Sequence, residues 1–118
     1  MHAMRNYDQG FQGFGEAYFS KINNGIIKGW KRHREMTLNL VVPLGSVRFV
    51  IMNDDGRLKD IVISENNYKR LTVPPMLWMG FQGISETTSI VLNIANIPHQ
   101  PDEIDNKELS DFSFDWAK

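Results

Sequence analysis

Between Gly25 and Thr37 the chain reads Gly-Ile-Ile-Lys-Gly-Trp-Lys-Arg-His-Arg-Glu-Met-Thr, which sets Lys28, Lys31, Arg32, His33, Arg34 and Glu35 among residues that read as strand. Two kinds of chemistry suit such a run. Lysine and arginine hold anions, arginine with a planar fork that matches phosphate or carboxylate. Histidine exchanges protons near neutrality because an ordinary imidazole has a pKa of about 6.5, and a lysine buried enough to lose its proton can act as a base. Residues two apart on a strand share a face, so Lys31 and His33 would enter one pocket together. A plainer reading stands beside this one. The segment is equally a solvated hairpin loop, with Arg32, Arg34 and Glu35 as a surface ion-pair cluster and His33 donating to a backbone carbonyl.

Four residues elsewhere would complete a binding site. Asn39, Gln82 and Asn93 are polar positions inside strand patterns and, facing inward, would hydrogen-bond a polar ligand. Trp78 would either stack on a planar ring or fill the interior of a barrel. His99 lies among prolines and His2 beside the first residue, and neither is a strong candidate.

The elements that must position these groups alternate with period two. Leu38, Leu40 and Val42 oppose Thr37, Asn39 and Val41, and after Pro43-Leu44-Gly45 the alternation resumes through Val47, Phe49 and Ile51. Asn53-Asp54-Asp55-Gly56 is a strong turn signal between strands. Further strands are expected over 58–63, 68–73, 77–82 and 89–95, with two upstream over 17–22 and 26–30. Pro74-Pro75 stops one of them, because proline cannot donate to a ladder. Short strands at intervals of about ten residues, with no long helical pattern, argue for an all-β antiparallel sandwich or barrel. From Pro98 onward the chain turns acidic and polar, with one helical turn expected near Asp102–Asp105. Phe112, Phe114 and Trp116 then alternate as a strand or strap for the barrel. Phe11 and Phe14 mark residues 1–13 as an N-terminal edge segment.

Composition bounds the rest. A chain of 118 residues is one domain and buries roughly two-thirds of its unfolded surface. A net charge of −1 gives no field that would attract nucleic acid or a membrane surface, and no apolar run approaches a membrane span. The absence of cysteine excludes disulfides and thiolate chemistry and fits a cytoplasmic location.

Four blocks in order carry a family resemblance: Gly25-Ile-Ile-Lys-Gly-Trp-Lys-Arg-His; Leu40-Val-Val-Pro-Leu-Gly-Ser-Val-Arg-Phe-Val; Ser64-Glu-Asn-Asn-Tyr-Lys-Arg-Leu-Thr-Val-Pro-Pro; and Trp78-Met-Gly-Phe-Gln-Gly. Together, from about Phe14 to Trp116, the chain resembles a short, divergent member of the dTDP-4-dehydrorhamnose 3,5-epimerase family. The resemblance implies a jelly-roll barrel of the cupin superfamily, spanning 1–118 with 98–118 as a C-terminal strap. It also implies proton abstraction beside the keto group of a dTDP-4-keto-6-deoxy sugar, in surface-polysaccharide sugar biosynthesis, with no cofactor and no metal. On this resemblance His33 and Lys31 are the catalytic candidates, and Lys28, Arg32, Asn39, Trp78, Gln82 and Asn93 bind the substrate. The expected partners are a nucleotide-linked sugar and a second copy of the chain. Three positions depart from the family pattern. Lys31 stands where the base histidine is expected, Met79 replaces a second histidine, and the stretch Val91–Asn96 lacks the family's acidic tyrosine. The alternative is therefore a sugar-nucleotide or carbohydrate binding module without catalysis.

Overall fold

The computed structural model describes residues 1–56 and 58–117. Nine strands follow one another: β1 (Glu16–Ile22), β2 (Ile27–His33), β3 (Leu38–Leu44), β4 (Ser46–Met52), β5 (Leu58–Ser64), β6 (Leu71–Val73), β7 (Trp78–Gly83), β8 (Ser89–Ala95) and β9 (Ile104–Asn106). They form two antiparallel sheets, ordered β1-β8-β3-β6 and β5-β4-β7-β2-β9, which face each other as a jelly roll. The expected strands occur within a few residues of their expected limits. The one over 68–73 is shorter, because only Leu71–Val73 pair with β3. Among the described residues no helix is long and apolar enough to cross a membrane.

The main core lies between the sheets. Leu38, Leu40 and Val42 of β3 meet Val47, Phe49 and Ile51 of β4, with Ile63, Leu71, Val73 and Val91 around them. The passage from β3 to β4, which changes sheets, takes only Gly45. Its φ of +83° is in the left-handed region, and a Cβ there would meet the Ser89 Oγ at 2.2 Å. Glycine alone fits that corner.

Two segments cover the outside of the barrel. The first residues do not form a strand. They fold back on the first sheet, where Arg70 donates to the Gln9 carbonyl (3.0 Å) and pairs with Asp8 (3.2 Å). The chain after Ala95 crosses to the second sheet. A 3-10 turn at Pro101–Glu103 leads into β9, and a second at Leu109–Asp111 leads into the aromatic strap. Phe112, Phe114 and Trp116 pack with Trp30, Val50 and Trp78 on the outer face of the second sheet, forming a second apolar cluster. Arg48 lies 4.9 Å over the Phe114 ring and donates to the Trp116 carbonyl (3.2 Å). The helical turn expected near Asp102–Asp105 is the 3-10 turn one residue earlier, and the expected strap is present without being a strand.

Candidate active site in the barrel cavity

A cavity of about 230 Å³ opens between the sheets. Its floor is apolar, formed by Leu38, Leu40, Phe49, Met79, Phe81 and Val91. Its polar lining comes from Tyr18 and Ser20 on β1, Lys28, Lys31 and His33 on β2, and Asn93 on β8. The two lysines are exposed at the mouth, His33 is half-buried, and Asn93 is buried.

The three β2 residues share the cavity because the strand is irregular. Lys28 pairs with Phe81 and Lys31 with Met79, so three steps on β2 match two on β7. This is a β-bulge, which adds one residue and resets the alternation. Strict alternation would put Lys28 and Lys31 on opposite faces. The extra residue lies at Gly29-Trp30, and the strap uses the space: a Cβ on Gly29 would come 2.7 Å from Leu109 Cδ1. Trp30 turns outward, exchanges backbone bonds with Lys107 (3.3 and 3.0 Å) and donates from its indole to the Leu109 carbonyl (3.2 Å).

His33 is held by a carboxylate. Its Nδ1 lies 2.5 Å from Glu103 Oε2. Glu103 is buried, and its other oxygen accepts from the backbone N–H groups of Met36 (2.9 Å) and Glu35 (3.2 Å). β9 fixes the approach, because His33 pairs with Ile104 and the Arg34 N–H donates to the Glu103 carbonyl (2.8 Å). Burial pushes the Glu103 carboxyl up, but the His33 bond, the two backbone donors and the imidazole charge outweigh it and hold it below the ordinary glutamate value. An ionised Glu103 accepts the Nδ1–H, so the Nε2 lone pair is the free end of the ring. Such a ring can take a proton at Nε2 while the carboxylate stabilises the imidazolium that forms.

The Lys31 side chain makes no hydrogen bond or ion pair among the described residues, which leaves its ammonium available at the cavity mouth. Lys28 reaches the Lys21 carbonyl (3.4 Å) and lies 5.9 Å from the Phe81 ring.

Four expected site residues lie outside this lining. Asn39 is on the outer face of β3, donating to the Gly10 carbonyl (3.1 Å) and accepting from Thr72 Oγ1 (2.6 Å), because Leu38 and Leu40 take the inward positions. Trp78 is buried under the strap, with Arg32 at 4.8 Å from its ring and Lys107 at 5.0 Å. Arg32 is on the same outer face, paired with Asp105 (2.8 Å) and Asp54 (3.6 Å). Arg34 shares Asp105, so the plainer ion-pair reading holds for these two arginines. Gln82 follows Trp78 and Gly80 on the outward register of β7, whereas Met79 and Phe81 face the cavity. Tyr18 and Glu103 were not among the expected site residues. Tyr18 was legible, since it precedes buried Ile22 by four strand positions and shares its face. Glu103 gives no local signal, being 70 residues from the histidine it holds.

The chain is a jelly-roll barrel of the cupin type, with a carboxylate-held histidine opening into its cavity. More narrowly, a family model described as "FdtA: WxcM-like, C-terminal" matches residues 16–113, and the chain is a member of that family. A dTDP sugar isomerase from Desulfovibrio desulfuricans G20 superposes with a TM-score of 0.92 at 33% identity, over 98% of this chain and 80% of that one. The probable low-salt glycan biosynthesis epimerase Agl13 of Haloferax volcanii is 30% identical over 84 aligned positions, 65% of this chain and 54% of the relative, so the match spans about half the relative's length. The fold also matches QdtA, a sugar 3,4-ketoisomerase from Thermoanaerobacterium thermosaccharolyticum in complex with TDP, with a TM-score of 0.71 at 18% identity, over 80% of this chain and 67% of that one.

Proposed function

We propose that the protein is a sugar-nucleotide isomerase or epimerase of polysaccharide biosynthesis that moves a proton beside the keto group of a dTDP-4-keto-6-deoxy sugar. The observation that carries this reading is the His33–Glu103 pair opening into the cavity. The ketone acidifies the neighbouring C–H. His33 Nε2 takes that proton, the electron pair of the C–H bond becomes an enolate, and the negative charge settles on the carbonyl oxygen. The Lys31 ammonium is two positions along the same strand face and would stabilise that oxygen. A proton returned to the same carbon from the opposite face epimerises it. A proton returned to the former carbonyl carbon, with loss of the adjacent hydroxyl proton, moves the ketone instead.

The cavity is smaller than the roughly 300–1,000 Å³ of pockets for drug-sized ligands. It suits one sugar ring, with the diphosphate at the mouth near Lys28 and Lys31. The name of the Desulfovibrio protein supports a dTDP sugar as the substrate class, and that of the Haloferax protein supports an epimerase of glycan biosynthesis. Incubation with dTDP-4-keto-6-deoxyglucose in heavy water, followed by NMR at C3, C4 and C5, tests the reading. Deuterium should enter at one of these carbons, with His33→Ala abolishing entry and Lys31→Ala slowing it. Binding without exchange above the spontaneous rate would overturn catalysis and leave a binding module, the reading that Lys31 and Met79 at the family's histidine positions favour.

The same reading includes a homodimer. Strand β1 is a sheet edge, and Phe19 on it and Phe14 before it are 69% and 67% exposed, which supports burial against a second copy. Light scattering should give twice the chain mass at micromolar concentration, and a monomer would refute it.

A further inference from the structure

Asn93 carries a polar atom whose environment is incomplete. The residue is 3% exposed and lines the cavity from β8. Its Nδ2 donates to the Tyr18 hydroxyl oxygen at 3.1 Å, and its Oδ1 is buried with no hydrogen-bond partner among the described residues. Leu40, its register partner on β3, and Val91 have no side-chain donor, and the nearby Ser20 hydroxyl makes no hydrogen bond to it. A buried carbonyl left without a donor costs about 1–3 kcal/mol, and such atoms in native proteins usually meet a ligand or water.

Tyr18 is the second half of the arrangement. It faces Asn93 in the β1–β8 register, and its oxygen already accepts from the amide. Its own O–H is therefore free to donate into the cavity. The wall thus presents one fixed acceptor and one free donor side by side.

We propose that Asn93 and Tyr18 select a ligand bearing a hydroxyl next to a carbonyl, with Asn93 as the specificity-determining residue. The hydroxyl donates to Asn93 Oδ1, and the carbonyl accepts from Tyr18. This rests on the sugar-nucleotide reading above and deepens it. On a 4-keto sugar the hydroxyl is the one at C3, so the site requires O3–H and rejects sugars deoxygenated there. Sites built to pair a substrate hydroxyl discriminate strongly against its absence, because the buried partner is then left unpaired.

Calorimetric titration of the full chain with dTDP, dTDP-6-deoxyglucose and its 3-deoxy counterpart tests this. Neither sugar can enolise, so the result is independent of turnover. The 3-deoxy ligand should bind about 10- to 100-fold more weakly than its parent. Asn93→Leu should reduce that ratio to below about threefold, with dTDP affinity unchanged as the control for folding. Asn93→Asp keeps an acceptor at the same place and should keep the preference. Equal binding of the two sugars to the unmodified protein overturns the inference alone. Loss of the preference in the Asp variant also overturns it, since the amide would then be turned over and acting as a donor. Absence of binding by all three ligands overturns it together with the sugar-nucleotide reading.

Discussion

Glu103→Gln separates the role of the carboxylate from its role in the fold. Glutamine keeps the shape and one oxygen, which can still accept from the Met36 and Glu35 N–H groups. Its amide nitrogen then faces His33 Nδ1, where Glu103 Oε2 was 2.5 Å away. Two losses follow. The imidazolium loses a charge-assisted bond of about 1.5–3 kcal/mol, which is about 10- to 150-fold in rate. The ring is also pushed to carry its proton on Nε2, the nitrogen that should be free, so the competent tautomer becomes scarce. Together the substitution should slow proton exchange on the keto sugar by about 10²- to 10³-fold, with thermal unfolding changed by less than about 1 kcal/mol. Glu103→Ala is the control in the other direction. It leaves the buried Met36 N–H and the part-buried Glu35 N–H without an acceptor and should cost about 1–3 kcal/mol of stability. Exchange by the Gln variant within threefold of the unmodified rate would refute the assigned role of the pair. So would a loss of exchange that only follows a loss of folded protein.

Other perturbations have equally definite outcomes. Met76 sits at φ +72° in the turn after Pro74-Pro75, with its N–H on the His33 carbonyl at 2.7 Å, and Met76→Gly should relieve left-handed strain and raise stability by about 0.5–1 kcal/mol in urea melts. Gly45→Ala should destabilise by about 3 kcal/mol or more, because the left-handed φ and the contact with Ser89 act together, and soluble protein with an unchanged melting midpoint would count against it. Asp105 is held down to about 2, chiefly by its bonds to Arg34 and then Arg32. A depressed carboxylate contributes stability that is present above its unfolded value near 3.8 and is lost as pH falls through its folded value. Acid titration of stability should therefore show a fall between about pH 4 and 2 that is reduced in Asp105→Asn. Trp30→Ala should cost about 3–5 kcal/mol and release the strap, seen as increased protease sensitivity after Lys107.

The strands were legible because their period-two patterns and turn residues are local signals. Asn53-Asp54-Asp55-Gly56 and Pro74-Pro75 punctuate the chain without help from distant residues. The site was less legible for three physical reasons. On β3 both faces are apolar at some positions, Val41 being as buried as Leu40, so alternation alone did not send Asn39 outward. On β7 the outer face is roofed by residues 109–116, so Trp78 is buried without facing the cavity. On β2 the bulge breaks the very periodicity used to assign faces. The His33–Glu103 pair joins residues that only the folded sheet brings together, and no spacing rule in the chain anticipates it.

The bulge on β2 behaves like a frame shift written into a strand. Upstream of it one phase of the sequence looks inward, and downstream the other phase does. Point substitution changes what a position carries, whereas the surplus residue between Lys28 and Lys31 decides which phase of the upstream strand looks inward. Were β2 paired as a regular strand with the same sequence, Lys28 would face out of the cavity and Ile27 in, while Lys31 and His33 stayed in place. The charge that Lys28 brings to the mouth thus depends on the bulge, independently of the histidine that lies downstream of it.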